Sequence, residues 1–239
     1  MERENEIYRA KLAEVAERFD EMVDSMKKVC MMDGDLSDEE RKLLVLAYKK
    51  SVESRRDSWR TIQYTEQKME ERDQTEYLQQ TKDYRRKVEA EIENICNDCC
   101  HLINLYILPL APDSEVVAFF TKMKGDYYRY LAEVKVGDER QNIANQCRQA
   151  YEQASAAASA ELESTHVTRL GIALSHSIFY NEIEDNVEKA LQLARDAFDQ
   201  AIDELDNLTE EAAYEDTTYL LELLSNNINM WTPKPANGW

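Results

Sequence analysis

Glycine and proline are scarce in this sequence, with 5 and 4 residues respectively in a chain of 239. Between Gly34 and Pro233 the only prolines are Pro109 and Pro112. Because these two residue types interrupt helices more strongly than any other, their scarcity favours long helices. No repeat of 34 residues or similar length recurs with matching residues, which argues against a tetratricopeptide array.

Long apolar runs are also lacking, and basic residues are fewer than acidic ones. No apolar stretch approaches the roughly 18 residues that a membrane-spanning helix needs, and the charged first residues lack the apolar centre of a signal peptide. Lys and Arg are outnumbered 29 to 48 by Asp and Glu, which gives a formal net charge of -19. This charge argues against nonspecific binding to nucleic acid or anionic membranes. We predict a cytosolic protein that does not insert into a membrane.

The cysteines do not support a disulfide framework. There are five, an odd number, and Cys96, Cys99 and Cys100 crowd one segment, so we predict thiols that are buried as small apolar groups. Together with His101 these cysteines offer zinc-ligand side chains. All four residues lie within about two helical turns, however, whereas tetrahedral zinc sites usually draw their ligands from separate elements. We therefore predict no metal site in this segment.

Catalytic signatures are equally sparse. Glu163 and His166 have the Glu-x-x-His spacing of di-iron helix bundles, but the sequence contains no second copy of that motif. The chain has three histidines, no glycine-rich phosphate loop and no nucleophile elbow. We predict a protein without catalytic residues and without cofactors, and an enzyme that uses a bound metal or cofactor is the third-ranked alternative.

Helical periodicity runs through nearly the whole chain, so the breaks define the elements. Ser37 and Glu40 have capping-box spacing, in which each side chain satisfies an orphan amide at a helix start. We predict one helix from there to about Arg72, a second over about 75–107, and a restart at 113–114. Further breaks are predicted at 136–138, 163–168, 184–186 and 207–209. Two more helices near the N-terminus bring the total to about nine in an all-α protein.

Basic side chains form a stripe along the first of these long helices. Lys49, Arg56 and Arg60 fall at i, i+7 and i+11, within about 20° of one line at 3.6 residues per turn. Glu53 and Asp57 can each pair with an arginine three residues on. A solvated charged face is therefore the alternative to an anion-binding site.

A second cationic face and two mixed faces follow. Lys122, Arg129 and Tyr130 lie at i, i+7 and i+8 of a later helix, although tyrosines are ordinarily core or interface residues. Four-residue spacing recurs in Leu174, Ile178 and Glu182, with Ser175 beside them, and in Leu223, Asn227 and Trp231. Asn227 is either a satisfied core amide or a reader of peptide backbone. Residues 182–216 carry 13 acidic side chains against two basic ones, and this segregation of charge suggests an anion site elsewhere.

Several segments closely resemble the signature segments of the 14-3-3 family. They are KGDYYRYLAEV (124–134), RLGIALSHSIFYNEI (169–183) and AFDQAIDELDNL (197–208), supported by LAYKKSVESRRDSWR near the start and LLELLSNNINMW near the end. The resemblance covers nearly the whole chain. It implies a single domain over 1–232 and a short flexible tail over 233–239. The implied fold has nine antiparallel helices in a cup-shaped protomer with an amphipathic groove, paired as a dimer.

The resemblance also implies a ligand site. The groove would be formed by 45–60, 120–134, 169–183 and 216–231. Lys49, Arg56, Arg129 and Tyr130 would bind a phosphate, with Arg60 nearby. The implied peptide-binding positions are Lys122, Asp126, Leu174, Ser175, Ile178, Glu182, Leu223, Asn227 and Trp231. A phosphorylated Ser or Thr suits such a pocket, because its dianion offers three acceptor oxygens to arginine forks.

The resemblance places the dimer interface mainly within 1–92. Its implied positions are Leu12, Val15, Ala16, Arg18, Glu21, Ser58, Tyr84, Lys87 and Glu91. Arg18 and Glu21 would pair with Glu91 and Lys87 of the partner subunit. The implied function is a phosphoserine- or phosphothreonine-dependent adaptor that regulates phosphorylated client proteins in the cytoplasm and in the nucleus. It would act as a homodimer, or as a heterodimer with paralogues.

One position departs from the family pattern. Where the family has Leu-Asn-Phe-Ser or a close variant, this chain has Leu174, Ser175, His176 and Ser177. Ser175 lacks the amide with which Asn makes a two-point contact to peptide backbone, although its hydroxyl still donates or accepts. This departure sustains the main rival interpretation, a helical scaffold or chaperone-like protein whose pocket does not require phosphate.

Overall fold

The computed structural model describes residues 1–32, 34–74 and 76–233. Within these ranges the chain forms nine α-helices and no β-strand, which confirms the all-α prediction. The helices are α1 Glu2–Val15, α2 Phe19–Met31, α3 Asp38–Glu71, α4 Leu78–Leu102, α5 Ser114–Val134, α6 Gly137–Glu161, α7 Val167–Glu182, α8 Val187–Glu204 and α9 Glu211–Trp231. No helix of the described ranges combines the length and hydrophobicity that crossing a bilayer requires.

The chain divides into two compact units, Met1–Ala111 and Pro112–Trp239. The boundary lies between the predicted helix end at about 107 and the predicted restart at 113–114. The single domain predicted over 1–232 stays a prediction. Of the tail predicted over 233–239, all but Pro233 lies outside the described residues.

Side-chain caps fix two helix starts where the sequence places them. The Ser37 hydroxyl accepts a hydrogen bond from the Glu40 amide at 3.3 Å, and the Glu40 carboxylate accepts one from the Ser37 amide at 2.7 Å. This reciprocal pair confirms the capping box at the start of α3. At the start of α5, the Asp113 carboxylate accepts a hydrogen bond from the Val116 amide at 2.8 Å. Both caps satisfy amides that otherwise have no partner within the helix.

The second long helix differs from its prediction at both ends. It was predicted over about 75–107, but α4 spans Leu78–Leu102, and Thr75 lies outside the described residues. The chain continues as a π-helical turn, Ile103–Ile107, and a 3-10 turn, Leu108–Leu110. Pro109 explains the change, because it has no amide hydrogen and its ring clashes with the carbonyl four residues earlier in a regular α-helix. The wider turn accommodates the proline before the chain leaves the helix.

The first unit packs its helices in sequence, α1 on α2, α2 on α3 and α3 on α4. Met22, Leu44 and Ile92 are fully buried in its core. Tyr48 is buried as well, and its hydroxyl donates to the Asp98 carboxylate at 2.6 Å. This hydrogen bond between α3 and α4 satisfies a phenol that would otherwise be costly to bury.

The second unit relies on alanines where its helices meet. Ala190 and Ala194 of α8 pack with Leu170 of α7 and Leu224 of α9 in one buried cluster. A second cluster joins Ala118 of α5, Ala154 and Ala158 of α6, and Ile172 of α7. Small side chains let helix axes approach closely, since the interaxial distance depends on the side chains at the contact. As a result α7 contacts both α5 and α9.

Candidate functional site

The basic stripe of the first unit lies on α3. Lys49 is exposed, and its ammonium is 3.8 Å from the Glu53 carboxylate. The predicted Arg60–Asp57 pair is present at 4.0 Å, whereas Arg56 is buried. Long ion pairs between exposed groups contribute little free energy. Lys49 can therefore exchange Glu53 for another anion at small cost.

The second unit contains its own network of charged residues, centred on α5. The Lys122 ammonium is 2.7 Å from Oδ2 of Asp126, one helical turn further along. The other oxygen of this carboxylate, Oδ1, accepts a hydrogen bond from the Tyr151 hydroxyl of α6 at 2.7 Å. Burial would raise the pKa of Asp126, but the Lys122 and Arg129 cations hold it below its ordinary value. Asp126 is therefore a buried carboxylate that stays ionised at neutral pH.

Arg129 lies one turn beyond Asp126 and is almost buried, with 12% of its side chain exposed. Its Nη1 is 3.0 Å from the exposed Glu182 carboxylate of α7, and its Cζ is 4.9 Å from the centre of the Tyr130 ring. Burial lowers the pKa of this guanidinium, but the surrounding phenols and carboxylates outweigh that effect and leave it raised. Nε is buried and has no hydrogen-bond partner within the described residues. The site thus holds a permanent cation with one unused donor.

An apolar wall adjoins this network in the second unit. Leu174 and Ile178 of α7 are partly buried against the cluster that contains Trp231 of α9. The indole Nε1 of Trp231 is buried without a hydrogen-bond partner in the described part of the chain. Ser175, Leu223 and Asn227 are half-buried. Of the residues of α7 and α9 that were grouped by four-residue spacing, Trp231 is buried in the core, whereas the others remain at least partly accessible.

Sequence reasoning missed the residues that hold Asp126 in place. Tyr151 is fully buried, and its ring lies against Gly125 so closely that a Cβ there would sit 2.7 Å from Cε1. The Cys147 thiol donates to the Gly125 carbonyl at 3.2 Å. A glycine in the middle of an otherwise regular helix was the available signal, since it costs about 1 kcal/mol relative to alanine. A glycine kept at that cost indicates that another residue packs closely against the helix at Gly125, but it does not identify that residue as Tyr151.

The predicted dimer surface is exposed in the described chain. Leu12, Val15 and Tyr84 are exposed by 51%, 85% and 58%, and Ala16 is exposed beside them. Large apolar side chains that are exposed close together, as Leu12 and Val15 are on α1, often mark an interaction site. The apolar part of the predicted interface is therefore available to a partner.

The polar members of the predicted interface have partners within the same chain. Arg18 forms an ion pair with Glu21, and the Lys87 ammonium lies 5.8 Å from the centre of the Tyr84 ring. Two further contacts are from Arg55 to the Glu91 carboxylate at 3.4 Å and from the Ser58 hydroxyl to the Ser54 carbonyl at 2.9 Å. Pairing across a dimer would require Arg18 and Glu21 to exchange these local partners.

The cysteines and histidines form no metal centre in the part of the chain that the structure describes, because no group of three or more His, Cys, Asp or Glu side chains is arranged to hold a metal ion. All five cysteines are buried thiols, as predicted. Burial raises the pKa of Cys30 to about 12, which makes its thiolate inaccessible at neutral pH.

Comparisons with known proteins agree on one family. The family model described as 14-3-3 protein matches residues 9–232. A 14-3-3-like protein C from Glycine max is 50% identical over 231 residues, which cover 97% of this chain and 89% of the relative. The 14-3-3 protein 9 of Solanum lycopersicum is 49% identical over 97% of this chain and 88% of its own length. A checkpoint signal transducer, rad24, from Schizosaccharomyces pombe is 47% identical over 96% of this chain and 85% of its own length. The chain belongs to the 14-3-3 family.

Proposed function

We propose that this protein is an adaptor that binds client proteins at phosphorylated Ser or Thr residues and regulates them as a dimer. Membership in the 14-3-3 family supports an adaptor or regulator role. The observation that carries the proposal is Arg129, an almost buried guanidinium whose Nε has no hydrogen-bond partner within the described residues. The ion-pair partner of this cation, Glu182, is exposed, so an anionic ligand with more charge than one carboxylate can take its place beside the guanidinium.

The phosphate ligands that we propose are Lys49, Arg56, Arg129 and Tyr130. A phosphoserine carries about -1.5 to -2 charges near neutral pH and three acceptor oxygens. Arginine forks can meet these oxygens in a bidentate manner, and each charge-assisted hydrogen bond contributes about 1.5–3 kcal/mol. An unphosphorylated serine has neither the charge nor the oxygens. Phosphorylation would therefore act as the switch for binding.

The bound segment would extend along the apolar wall of the second unit. Leu174, Ile178 and Leu223 are partly exposed there and offer apolar contact, while Asn227 offers an amide that can pair with peptide backbone. Lys122 and Asp126 would line the polar side. At Ser175 a hydroxyl would replace the two-point amide contact, directly or through a water molecule. The remaining proposed contacts are Trp231 and Glu182, and Glu182 would orient Arg129 while the site is empty.

Dimerisation would raise affinity for clients that carry two phosphorylated sites. The exposed Leu12, Val15 and Tyr84 support an interface between two copies. A second site on the same client then binds at the effective concentration that the linker sets, and avidity can exceed either single affinity by about 10²–10⁴. We expect a dimer in sedimentation velocity at micromolar protein. A monomer at that concentration would contradict this part of the proposal.

The proposal excludes catalysis and nucleic-acid binding as the primary function. The net charge of -19 disfavours contact with a polyanion such as DNA. A peptide with a single phosphate requires only a local basic surface, which α3 and α5 each provide in Lys49 and Lys122. Both lysines face acidic neighbours, at 3.8 Å and 2.7 Å respectively, so neither side chain presents an uncompensated field to long polyanions.

The test is fluorescence anisotropy of one labelled peptide with an arginine-rich segment and a central serine, measured with and without phosphate on that serine. We expect saturable binding of the phosphorylated form alone. An Arg56→Ala, Arg129→Ala variant should lose at least about 100-fold in affinity, since two charge-assisted contacts disappear. The matched control is Lys189→Ala, Arg195→Ala, which removes two positive charges from α8 and should bind normally.

Two results would overturn the proposal. Equal binding of both peptide forms, retained in the Arg56→Ala, Arg129→Ala variant, would favour the rival scaffold whose pocket does not require phosphate. An equal loss of affinity in the control variant would mean that overall charge, and not the two named arginines, governs binding. Circular dichroism of each variant establishes that the helices remain folded.

A further inference from the structure

A cavity of about 160 Å³ lies in the second unit among α6, α7 and α8. None of its lining residues is among those proposed above to bind phosphate, peptide or a second subunit. Ala158, Leu170 and Ile172 give it a buried apolar wall, and Ser155 and His176 add polar groups. Its volume is close to the roughly 150 Å³ of an engineered apolar cavity that admits benzene. The space therefore fits one six-membered aromatic ring.

His176 is the polar group that distinguishes this cavity from a packing defect. Its side chain is 5% exposed, and its ring stacks on Tyr151 at 5.3 Å and on Tyr180 at 5.0 Å between ring centres. Burial, together with the charges of Lys189 and Arg148, lowers its pKa to about 4. The imidazole is therefore neutral at neutral pH. It then carries one donor nitrogen and one acceptor nitrogen.

One of these nitrogens is unsatisfied. Nε2 of His176 is buried and lacks a hydrogen-bond partner among the residues that the structure describes, which costs free energy in the empty protein. A half-turn of the ring about its Cβ–Cγ bond preserves the ring plane, and with it both stacking contacts, while it exchanges the positions of Nε2 and Cε1. Because Nε2 is closed off in the present orientation, a ligand hydroxyl would pair with a ring nitrogen after this half-turn or at Nδ1.

The mouth of the cavity is framed by hydrogen bonds between α7, α8 and the segment before α7. Arg169 donates to the Leu162 carbonyl at 3.0 Å and to the Gln200 side chain at 2.9 Å. The Ser164 hydroxyl donates to the Gln200 carbonyl at 3.1 Å. Because these hydrogen bonds connect different elements, with partners up to 36 residues apart in the sequence, they hold the rim in one arrangement before any ligand binds. Preformed, mostly apolar cavities with a few polar groups are typical of small-molecule sites, and a volume of about 160 Å³, below the roughly 300–1,000 Å³ of drug-sized sites, restricts the ligand to a small one.

We propose that this cavity binds an uncharged molecule with a single aromatic ring and a hydroxyl group, of which phenol is the simplest example. The ring would fill the space beside Ala158, Leu170 and Ile172, and the hydroxyl would pair with His176. A hydroxyl both donates and accepts, so it satisfies either neutral tautomer of the imidazole. Arg169 and Asp196 both line the cavity, and their opposite charges favour an uncharged ligand over an acid or an amine.

The test uses two fluorinated probes, 4-fluorophenol and fluorobenzene, whose binding to the full-length protein is followed by ¹⁹F NMR. We expect both probes to bind saturably, and 4-fluorophenol to bind more tightly. His176→Phe keeps an aromatic ring in the stack but removes both nitrogens. It should weaken 4-fluorophenol at least about tenfold and fluorobenzene less than about twofold, because only the phenol loses a hydrogen bond. Ala173→Leu places a larger side chain in the cavity lining and should abolish binding of both probes.

Three results would overturn the inference: no saturable binding of 4-fluorophenol, unchanged binding in Ala173→Leu, or an equal loss of both probes in His176→Phe. Circular dichroism serves as the control for folding in each variant. Because the probes and the phosphopeptide are predicted to use different residues, the two proposals fail independently. Loss of phosphopeptide binding in Arg56→Ala, Arg129→Ala should leave the affinity for 4-fluorophenol unchanged.

Discussion

Replacing Tyr151 with phenylalanine removes one oxygen atom from the interior of the second unit and leaves the ring in place. That oxygen donates at 2.7 Å to Oδ1 of Asp126, a carboxylate that is held ionised in a buried position. A hydrogen bond to a charged group contributes about 1.5–3 kcal/mol, and Phe is close enough in shape to leave no large cavity. We therefore expect Tyr151→Phe to lower the free energy of unfolding by about 1.5–3 kcal/mol.

Urea denaturation, monitored by circular dichroism at one fixed protein concentration, measures this loss. With an m value of about 2–3 kcal/mol/M, the midpoint should fall by about 0.5–1.5 M. Tyr180→Phe is the matched control, since Tyr180 also stacks on His176 but its hydroxyl has no hydrogen-bond partner within the described residues. Its midpoint should move by less than about 0.3 M, as for a substitution that removes no buried contact. Equal shifts in the two variants would refute the special role of the Asp126 contact.

Two further predictions concern neighbours of Tyr151. His176 has a pKa of about 4 in the folded protein against 6.5 for the free side chain, so the unfolded chain binds its proton first and stability falls as the pH drops from 6.5 to 4. The loss of stability amounts to about 3 kcal/mol. In His176→Phe the urea midpoint should therefore depend less on pH between 6.5 and 4. An unchanged slope would contradict the assignment of this pH dependence to His176. Gly125→Ala forces a Cβ to within 2.7 Å of the Tyr151 ring, whereas Gly171→Ala meets nothing nearer than 4.0 Å. Since both changes gain the same helix propensity, thermal or urea unfolding should find Gly125→Ala less stable than Gly171→Ala by about 1–3 kcal/mol, and equal stabilities would refute this reasoning.

Local signals explain why the helix starts were predictable. The capping box of Ser37 and Glu40, and the Asp113 cap, involve atoms within three residues of each other, so the sequence contains both partners side by side. The π-helical turn over Ile103–Ile107 was not predicted. It depends on how the backbone before Pro109 widens while Ile103 and Ile107 stay buried, and no pattern of residue types distinguishes that turn from a continued α-helix.

The candidate site was likewise predictable only in part. Spacing alone grouped Lys122 with Arg129 on α5 and Glu182 with Leu174 and Ile178 on α7. Family resemblance assigned Glu182 to the same ligand site as Arg129, from which it lies 53 residues away in the sequence. Neither residue spacing nor family resemblance pointed to Tyr151. Its partner Asp126 lies 25 residues away on another helix. The spacing of residues around a tyrosine in an alanine-rich helix does not indicate that its hydroxyl makes a buried hydrogen bond. Contacts between helices become visible only when the packing is known.

The two carboxylates beside Arg129 differ in burial, and this difference suggests how a phosphate would enter. Asp126 is buried and holds both Lys122 and Tyr151, so it cannot leave without unpairing several groups. Glu182 is 51% exposed and contacts Arg129 at 3.0 Å, so water can solvate it as soon as a stronger anion arrives. A phosphate dianion would therefore displace Glu182 and leave Asp126 in place. In this arrangement the empty site remains electrostatically balanced, and only a ligand with more charge than one carboxylate gains from the exchange.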